Sequence, residues 1–265
     1  MKYLLTLAFV GTGYSGWQSQ KNSLSVQSVL TDACRQVFGG DVLVTGCSRT
    51  DAGVHAKGFC CALSLPEGKL FPDTLPAEKI PFALNRHLPD DIGVISARTV
   101  PDYFHPRYSA VGKTYEYVFL ASELRNPFYT DRAYWIKRKI DPDSLVRMKT
   151  ASSFFEGTHD FSAYMSSGSS VADTVRTVMS ADVISRGDTV VFTVTADGFL
   201  YNMVRIMAGT LLEVAKGRIN PDDIPSITGS RDRSLAGPTA PACGLYLVKA
   251  HYKPDWSLNE KNYRN

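Results

Sequence analysis

Two hydrophobic periods follow one another in the first forty residues, and the same succession returns after residue 114. Residues 2–10 alternate as a strand does and run into a Gly-rich turn at 11–16. Ser25 then precedes Val26, Val29, Leu30, Ala33 and Val37, a stripe of helical period that stops at Gly39-Gly40. A serine oxygen caps a helix start and glycine takes the left-handed turn that ends one, so a helix is predicted here. Strands are predicted at 41–47 and 58–65, flanking a loop at 48–57.

The second half repeats that order. Residues 114–120 alternate Tyr115, Tyr117 and Phe119, and Pro142-Asp143-Ser144 opens a helix carrying Leu145, Met148, Ala151 and Phe154 before Gly157. A hairpin is predicted over 175–186 and 188–196, and a helix over 201–216. Each half reads strand, helix, strand, strand. The fold class expected is therefore α+β: two similar halves, 1–106 and 107–265, whose sheets join with a cleft between them, the Pro-rich stretch 66–106 serving as the link.

Composition narrows the class without naming a function. Hydrophobic residues make up 44% and charged residues 21%, the balance of a globular protein rather than a disordered or fibrous one. No apolar run reaches the roughly 20 residues that span a bilayer. The apolar opening runs straight into Gly11-Thr12-Gly13 with no small-residue cleavage site, and reads as a buried strand. Five cysteines, none in a C-x-x-C pair, argue for reduced thiols in a cytosol. A net charge of +3 permits a polyanionic partner without requiring one.

The segment Arg49-Thr50-Asp51-Ala52-Gly53-Val54-His55-Ala56 concentrates a cation, a hydroxyl, a carboxylate and a glycine on a loop between two strands. Such a loop can present Asp51 to a cleft, or Asp51 can merely close an Asx turn at Gly53. The G-x-G-x-x-G at 11–16 suggests a dinucleotide, yet Trp17-Gln18-Ser19-Gln20 follows its last glycine instead of a helix, so the phosphate-on-helix geometry is missing. Tyr115 and Tyr117 point to one side of a strand, so one can meet a ligand while the other packs inside. Arg205 lies among Met203, Val204, Ile206 and Met207: either it is a solvated charge or it is buried against a carboxylate. His55, His105 and His159 lack ligand spacing, which argues against a metal site.

Several segments occur in one fixed order: Gly16-Trp17-Gln18-x-Gln20, Val26-Gln27, the Asp51 segment, Phe104-His105-x-Arg107, Lys113-x-Tyr115-x-Tyr117 and Gly157-Thr158-His159-Asp160-Phe161. Gly198-Phe199-Leu200-x-x-Met203-Val204-Arg205 and Gly244-Leu245-Tyr246-Leu247 complete the set. Together they resemble the tRNA pseudouridine synthase A family from the first strand to about Tyr252. The resemblance implies two α+β halves forming one continuous mixed sheet with a central, basic RNA-binding cleft, in a cytoplasmic homodimer that isomerises uridine to pseudouridine in the anticodon stem-loop of tRNA (nucleotides 38 to 40) without cofactor or metal. It implies Asp51 as the catalytic carboxylate, Arg205 as its partner, Tyr115 stacked on the target base, Leu200 as an apolar floor and Arg49 filling the gap or holding a phosphate.

Lys21, Lys57, Arg107, Lys113 and Arg125 are candidates for the RNA path. The chain departs from the family's pattern at Phe9-Val10-Gly11, at Ser48 and in a longer stretch over 65–82. Three other readings compete. One is a synthase of the same family acting on another RNA, and another is a non-catalytic RNA-binding or RNA-folding factor. The third is a metal-dependent nuclease pairing Asp51 with Asp41 or Asp160.

Overall fold

The computed structural model describes residues 2–66, 71, 75–168 and 171–256. Part of the stretch that departs from the family's length, 67–70 and 72–74, lies outside the described residues. The elements run β1 (Lys2–Phe9), α1 (Val26–Phe38), β2 (Leu43–Gly46), β3 (His55–Ser64), α2 (Ile80–Asn85), β4 (Ile92–Val100), β5 (Ala110–Leu120) and β6 (Tyr134–Trp135). They continue as α3 (Pro142–Ser153), β7 (Gly157–Asp160), β8 (Val175–Arg186), β9 (Thr189–Ala196), α4 (Met203–Ala215), α5 (Ile224–Ser230) and β10 (Leu245–Tyr252). Strand pairing follows the order β4-β1-β3-β10-β5-β9-β8-β7, with β2 on β3 and β6 on β5. The β5–β6 pair is parallel, whereas β1–β4 and β8–β9, for example, are antiparallel, so the sheet is mixed and the fold α+β. The chain divides into two compact units, Met1–Val111 with Leu247–Asn265, and Gly112–Tyr246.

In the first unit, Leu4, Leu5, Leu7, Phe59 and Leu63 are buried on β1 and β3, and α1 buries Val26, Leu30, Ala33 and Cys34. The predicted helix forms for the predicted reasons. Ser25 Oγ accepts from Ser28 N–H at 3.1 Å, Ser28 Oγ accepts from Ser25 N–H at 3.2 Å, and Gly39 closes the helix at φ 68°. The stretch 66–106 is more than a link: it contains α2 and β4. β4 pairs with β1 from Lys2↔Val100 to Phe9↔Ile92. Only Ile92, Val94 and Val100 of β4 face the core, so its alternation is faint beside the surrounding prolines. Asn85 ties α2 to this edge, donating to Val94 C=O at 3.0 Å and accepting from Val94 N–H at 2.7 Å.

In the second unit, β5 pairs with β9, and the β8–β9 hairpin turns at Arg186↔Thr189 with Gly187 at φ 59°. α3 starts as predicted, Asp141 accepting from Ser144 N–H at 2.8 Å with Pro142 in the first turn. Ser144 Oγ donates to the Ala215 carbonyl at 3.1 Å, joining the start of α3 to the end of α4. α4 is buried nearly all round, and even Glu213 is covered, paired with Lys216 at 2.8 Å and Arg218 at 3.0 Å.

Candidate active site

The Asp51 loop occupies the connection from β2 to β3, and β3 begins at His55, three residues earlier than the sequence suggested. Asp51 is half-buried, Thr50 and Val54 are buried, and Arg49 is exposed. Val54 N–H donates to Asp51 C=O at 3.2 Å, and Gly53 sits at φ 77°, a value that favours glycine. Gly53 N–H points elsewhere, to Tyr14 C=O at 3.4 Å. Both of these amides donate to backbone carbonyls, which ties the turn to itself and to the segment before it.

The segment at 11–17 braces this loop. A Cβ on Gly16 would lie 2.3 Å from Thr50 O, and Gly16 itself adopts φ 85°. A Cβ on Gly11 would lie 2.0 Å from Val54 O. The glycines that resembled a phosphate loop therefore let one backbone lie directly on another. Trp17 N–H donates to Thr50 C=O at 3.2 Å while its ring stacks on Phe59 at 4.1 Å, against a Gly46 that has no room for a Cβ. Gly11 N–H donates to Nδ1 of buried His55 at 2.9 Å, which places the ring proton on Nε2 of the neutral imidazole. Tyr14 O–H donates to Asp91 Oδ1 at 2.6 Å; burial, and then that carboxylate, push the phenol well above its ordinary range. Gln27 accepts from Ser19 N–H at 2.8 Å and donates to Val44 C=O at 2.7 Å, fastening the brace to β2.

The second unit gathers the remaining residues around the β9–α4 connection. Tyr115 is 6% exposed and meets Phe199 edge to face at 5.0 Å. Tyr117 is fully buried: its O–H donates to Pro241 C=O at 2.7 Å, its ring packs on Gly244, and burial raises its pKa. Of the two tyrosines on one side of β5, Tyr117 is thus committed to the core. Leu200 is buried at the turn into α4. Met203, Val204, Ile206 and Met207 are buried around Arg205, whereas Arg205 is half-buried. Its Nε donates to Ala240 C=O at 2.8 Å, its Nη1 donates to Asn202 Oδ1 at 2.7 Å, and its own C=O accepts from Ala240 N–H at 3.1 Å.

Sequence reasoning missed two of these supports. Asn202 holds φ 61°, a left-handed conformation that asparagine tolerates, and its Nδ2 reaches Ser166 Oγ at 3.0 Å. The segment carrying Ala240 lies flat on α4, since a Cβ on Gly209 would be 1.8 Å from Pro238 O. A glycine inside an apolar helix was the only signal for that contact.

The other candidates have local roles. Asp160 is half-buried, yet the Thr174 hydroxyl at 2.6 Å, Ser162 N–H at 3.0 Å and Arg231 at 3.0 Å outweigh that burial and lower its pKa. Asp41 is exposed and pairs with Arg35 at 3.3 Å. His105 Nδ1 accepts from the Arg107 and Tyr108 amides, both at 3.2 Å. Lys21, Lys57, Arg107 and Arg125 are exposed, and Lys113 is half-buried. Among the described residues no group of three or more His, Cys, Asp or Glu is placed to hold a metal ion, and no helix is long and apolar enough to cross a membrane.

Comparison with known proteins gives the class, an enzyme. The family model described as tRNA pseudouridine synthase matches residues 6–109 and 151–253. A protein named tRNA pseudouridine synthase A from Acetivibrio thermocellus is 44% identical over 248 residues, covering 94% of this chain and 98% of its own. Those of the same name from Ruminiclostridium cellulolyticum and Thermoanaerobacter sp. are 42% and 44% identical, covering 95% and 94% of this chain and 99% and 98% of theirs. The chain belongs to the tRNA pseudouridine synthase family.

Proposed function

We propose that this protein isomerises uridine to pseudouridine in tRNA, with Asp51 as the catalytic carboxylate and Arg205 as its partner. The observation that carries the reading is the bracing of the Asp51 loop by Gly11, Gly16, Trp17 and His55 in a chain of this family. The reaction breaks the bond from N1 to C1′, turns the uracil, joins C5 to C1′, moves the C5 proton away and leaves a proton on N1. No electrons are gained or lost, so side chains suffice. An ionised aspartate serves as nucleophile at C1′ or C6, or as base at C2′. A guanidinium within about 4–6 Å favours that ionised form. Tyr115, buried against Phe199, offers a ring face for the freed uracil, Leu200 an apolar floor, and exposed Arg49 a cation for RNA phosphate.

The finer reading places the reaction at nucleotides 38 to 40 of the anticodon stem-loop, in a cytoplasmic homodimer. The resemblance supports it, and free thiols at Cys34, Cys47, Cys60, Cys61 and Cys243 suit the reducing compartment alone. Mapping pseudouridine in tRNA with and without the protein tests the activity, and sedimentation tests the dimer. Asp51→Asn keeps the size of the side chain and removes its charge. We expect product formation to vanish while tRNA affinity changes by less than about tenfold, ~1.4 kcal/mol. Appreciable turnover by the Asn variant, with deamidation excluded by mass spectrometry, would take Asp51 out of the reaction.

A further inference from the structure

Residues 122–139 join β5 to α3 and carry Arg125, Arg132, Lys137, Arg138 and Lys139 against only Glu123 and Asp131. That excess equals the net charge of the whole chain, +3. Several cations elsewhere find carboxylates: Arg35 with Asp32, Lys216 and Arg218 with Glu213, Arg231 with Asp160. Among the described residues none of the five cations of this segment does so, and all five are exposed. Trp135 organises two of them. Its indole N–H donates to Ser122 C=O at 2.8 Å, which fixes the ring, and the Arg125 guanidinium and the Lys137 ammonium each lie 5.3 Å from its centroid. Lys137 takes φ 57° to reach that position. Cations held on a ring face lose little freedom when an anion arrives, because their geometry is already set.

We infer that this Trp135-centred patch is a second RNA-binding surface, which holds the phosphate backbone of the tRNA body outside the reacting stem-loop. The inference rests on the function proposed above for the substrate's identity. Trp135 pairs with Leu120, five residues along β5 from Tyr115, roughly 17 Å at the rise of a strand. A uridine held at Tyr115 is therefore not the nucleotide that meets the patch, and the phosphates that do so lie farther along the folded RNA. Leu124 and Phe128 are also exposed on this segment, so a second copy of the chain is the competing occupant. A two-fold interface would lay the patch on itself and set five cations against five, a repulsion that RNA phosphate turns into attraction.

The test compares full-length tRNA with the anticodon stem-loop cut from it, using wild type and the triple variant Lys137→Glu, Arg138→Glu, Lys139→Glu. The side chains replaced are exposed, and a thermal melt checks the fold. The variant should lose at least tenfold in affinity for full-length tRNA at physiological salt. The slope of log Kd against log salt should shrink by about two, at roughly 0.7–0.9 per lost phosphate contact. Affinity for the stem-loop, and its single-turnover rate, should stay within twofold. Trp135→Ala should reproduce the loss, and Trp135→Phe should restore most of it. Equal losses on both RNAs, no loss on either, or conversion of an oligomer to monomers by the triple variant would each overturn the inference. A wild-type protein that binds tRNA yet forms no pseudouridine would sink the proposed function and leave this comparison readable.

Discussion

Gly16 carries two constraints at once, a positive φ and a backbone in van der Waals contact where a methyl would have to go. The conformation alone costs alanine about 1–2 kcal/mol, and the clash with Thr50 O must also be relieved by moving the loop. Gly16→Ala should therefore lower kcat by about a hundredfold through misplacement of Asp51, with tRNA affinity nearly unchanged. Single-turnover and binding assays separate the two, and an unaltered kcat would show that the loop position is not set by this contact.

Tyr115 separates stacking from proton transfer at the same scale. Tyr115→Phe keeps the ring that meets Phe199, and Tyr115→Leu removes it. We expect the Leu variant to bind and react poorly, ring stacking being worth roughly 1–3 kcal/mol per base. We expect the Phe variant to bind yet stall before the C5 proton is lost. A normal single-turnover rate in the Phe variant would assign the residue to stacking alone. The place of the Asp51 loop between two strands was legible in the sequence, because apolar runs flank it on both sides. The purpose of Gly11 and Gly16 was not, because a tight backbone contact and a phosphate cradle ask for the same residue.

Among the elements, the turn before β5 shows how burial sets acid stability. Burial, then the charges of Lys2 and Arg107, lower the pKa of His105 below its ordinary 6.5. Burial and Lys249 do the same at His251. Between the lowered values and 6.5 the native state binds fewer protons than the unfolded chain, so stability rises with pH there. Stability is fully present above about pH 6.5 and is lost as pH falls through the lowered values. Tm should drop between pH 7.5 and pH 5, and His105→Asn, whose amide oxygen can still accept from the Arg107 and Tyr108 amides, should shrink that drop. An identical pH slope in the variant would remove His105 as a source. Helices α1, α3 and α4 and the β8–β9 hairpin were readable because caps, turn residues and periodicity agree. β4 and β10 were not assigned as strands, since few of their residues face the core and their pairing comes from distant segments.

For the molecule as a whole, the strand order has a consequence in time. The first unit is interrupted: it begins with residues 1–111 and needs residues from 247 onward, which add β10 beside β3. A Cβ on Gly58 would strike Val248 O, and Phe104 packs on Tyr252 at 5.2 Å, so β10 is built into that unit's interior. On a ribosome, then, the unit that starts first is completed last. The inserted unit, 112–246, has emerged in full while the first half of β3, beyond its pairing with β2 over 61–64, still lacks β10. A chain arrested with residue 246 outside the exit tunnel should show protease protection across 112–246 and cleavage within 1–111. Protection of both at that length would mean that the earlier unit closes without its final strand. During synthesis the stretch of β3 that awaits β10 is an open edge able to recruit another strand, and the wait for residue 252 is the interval in which this protein is most exposed to aggregation.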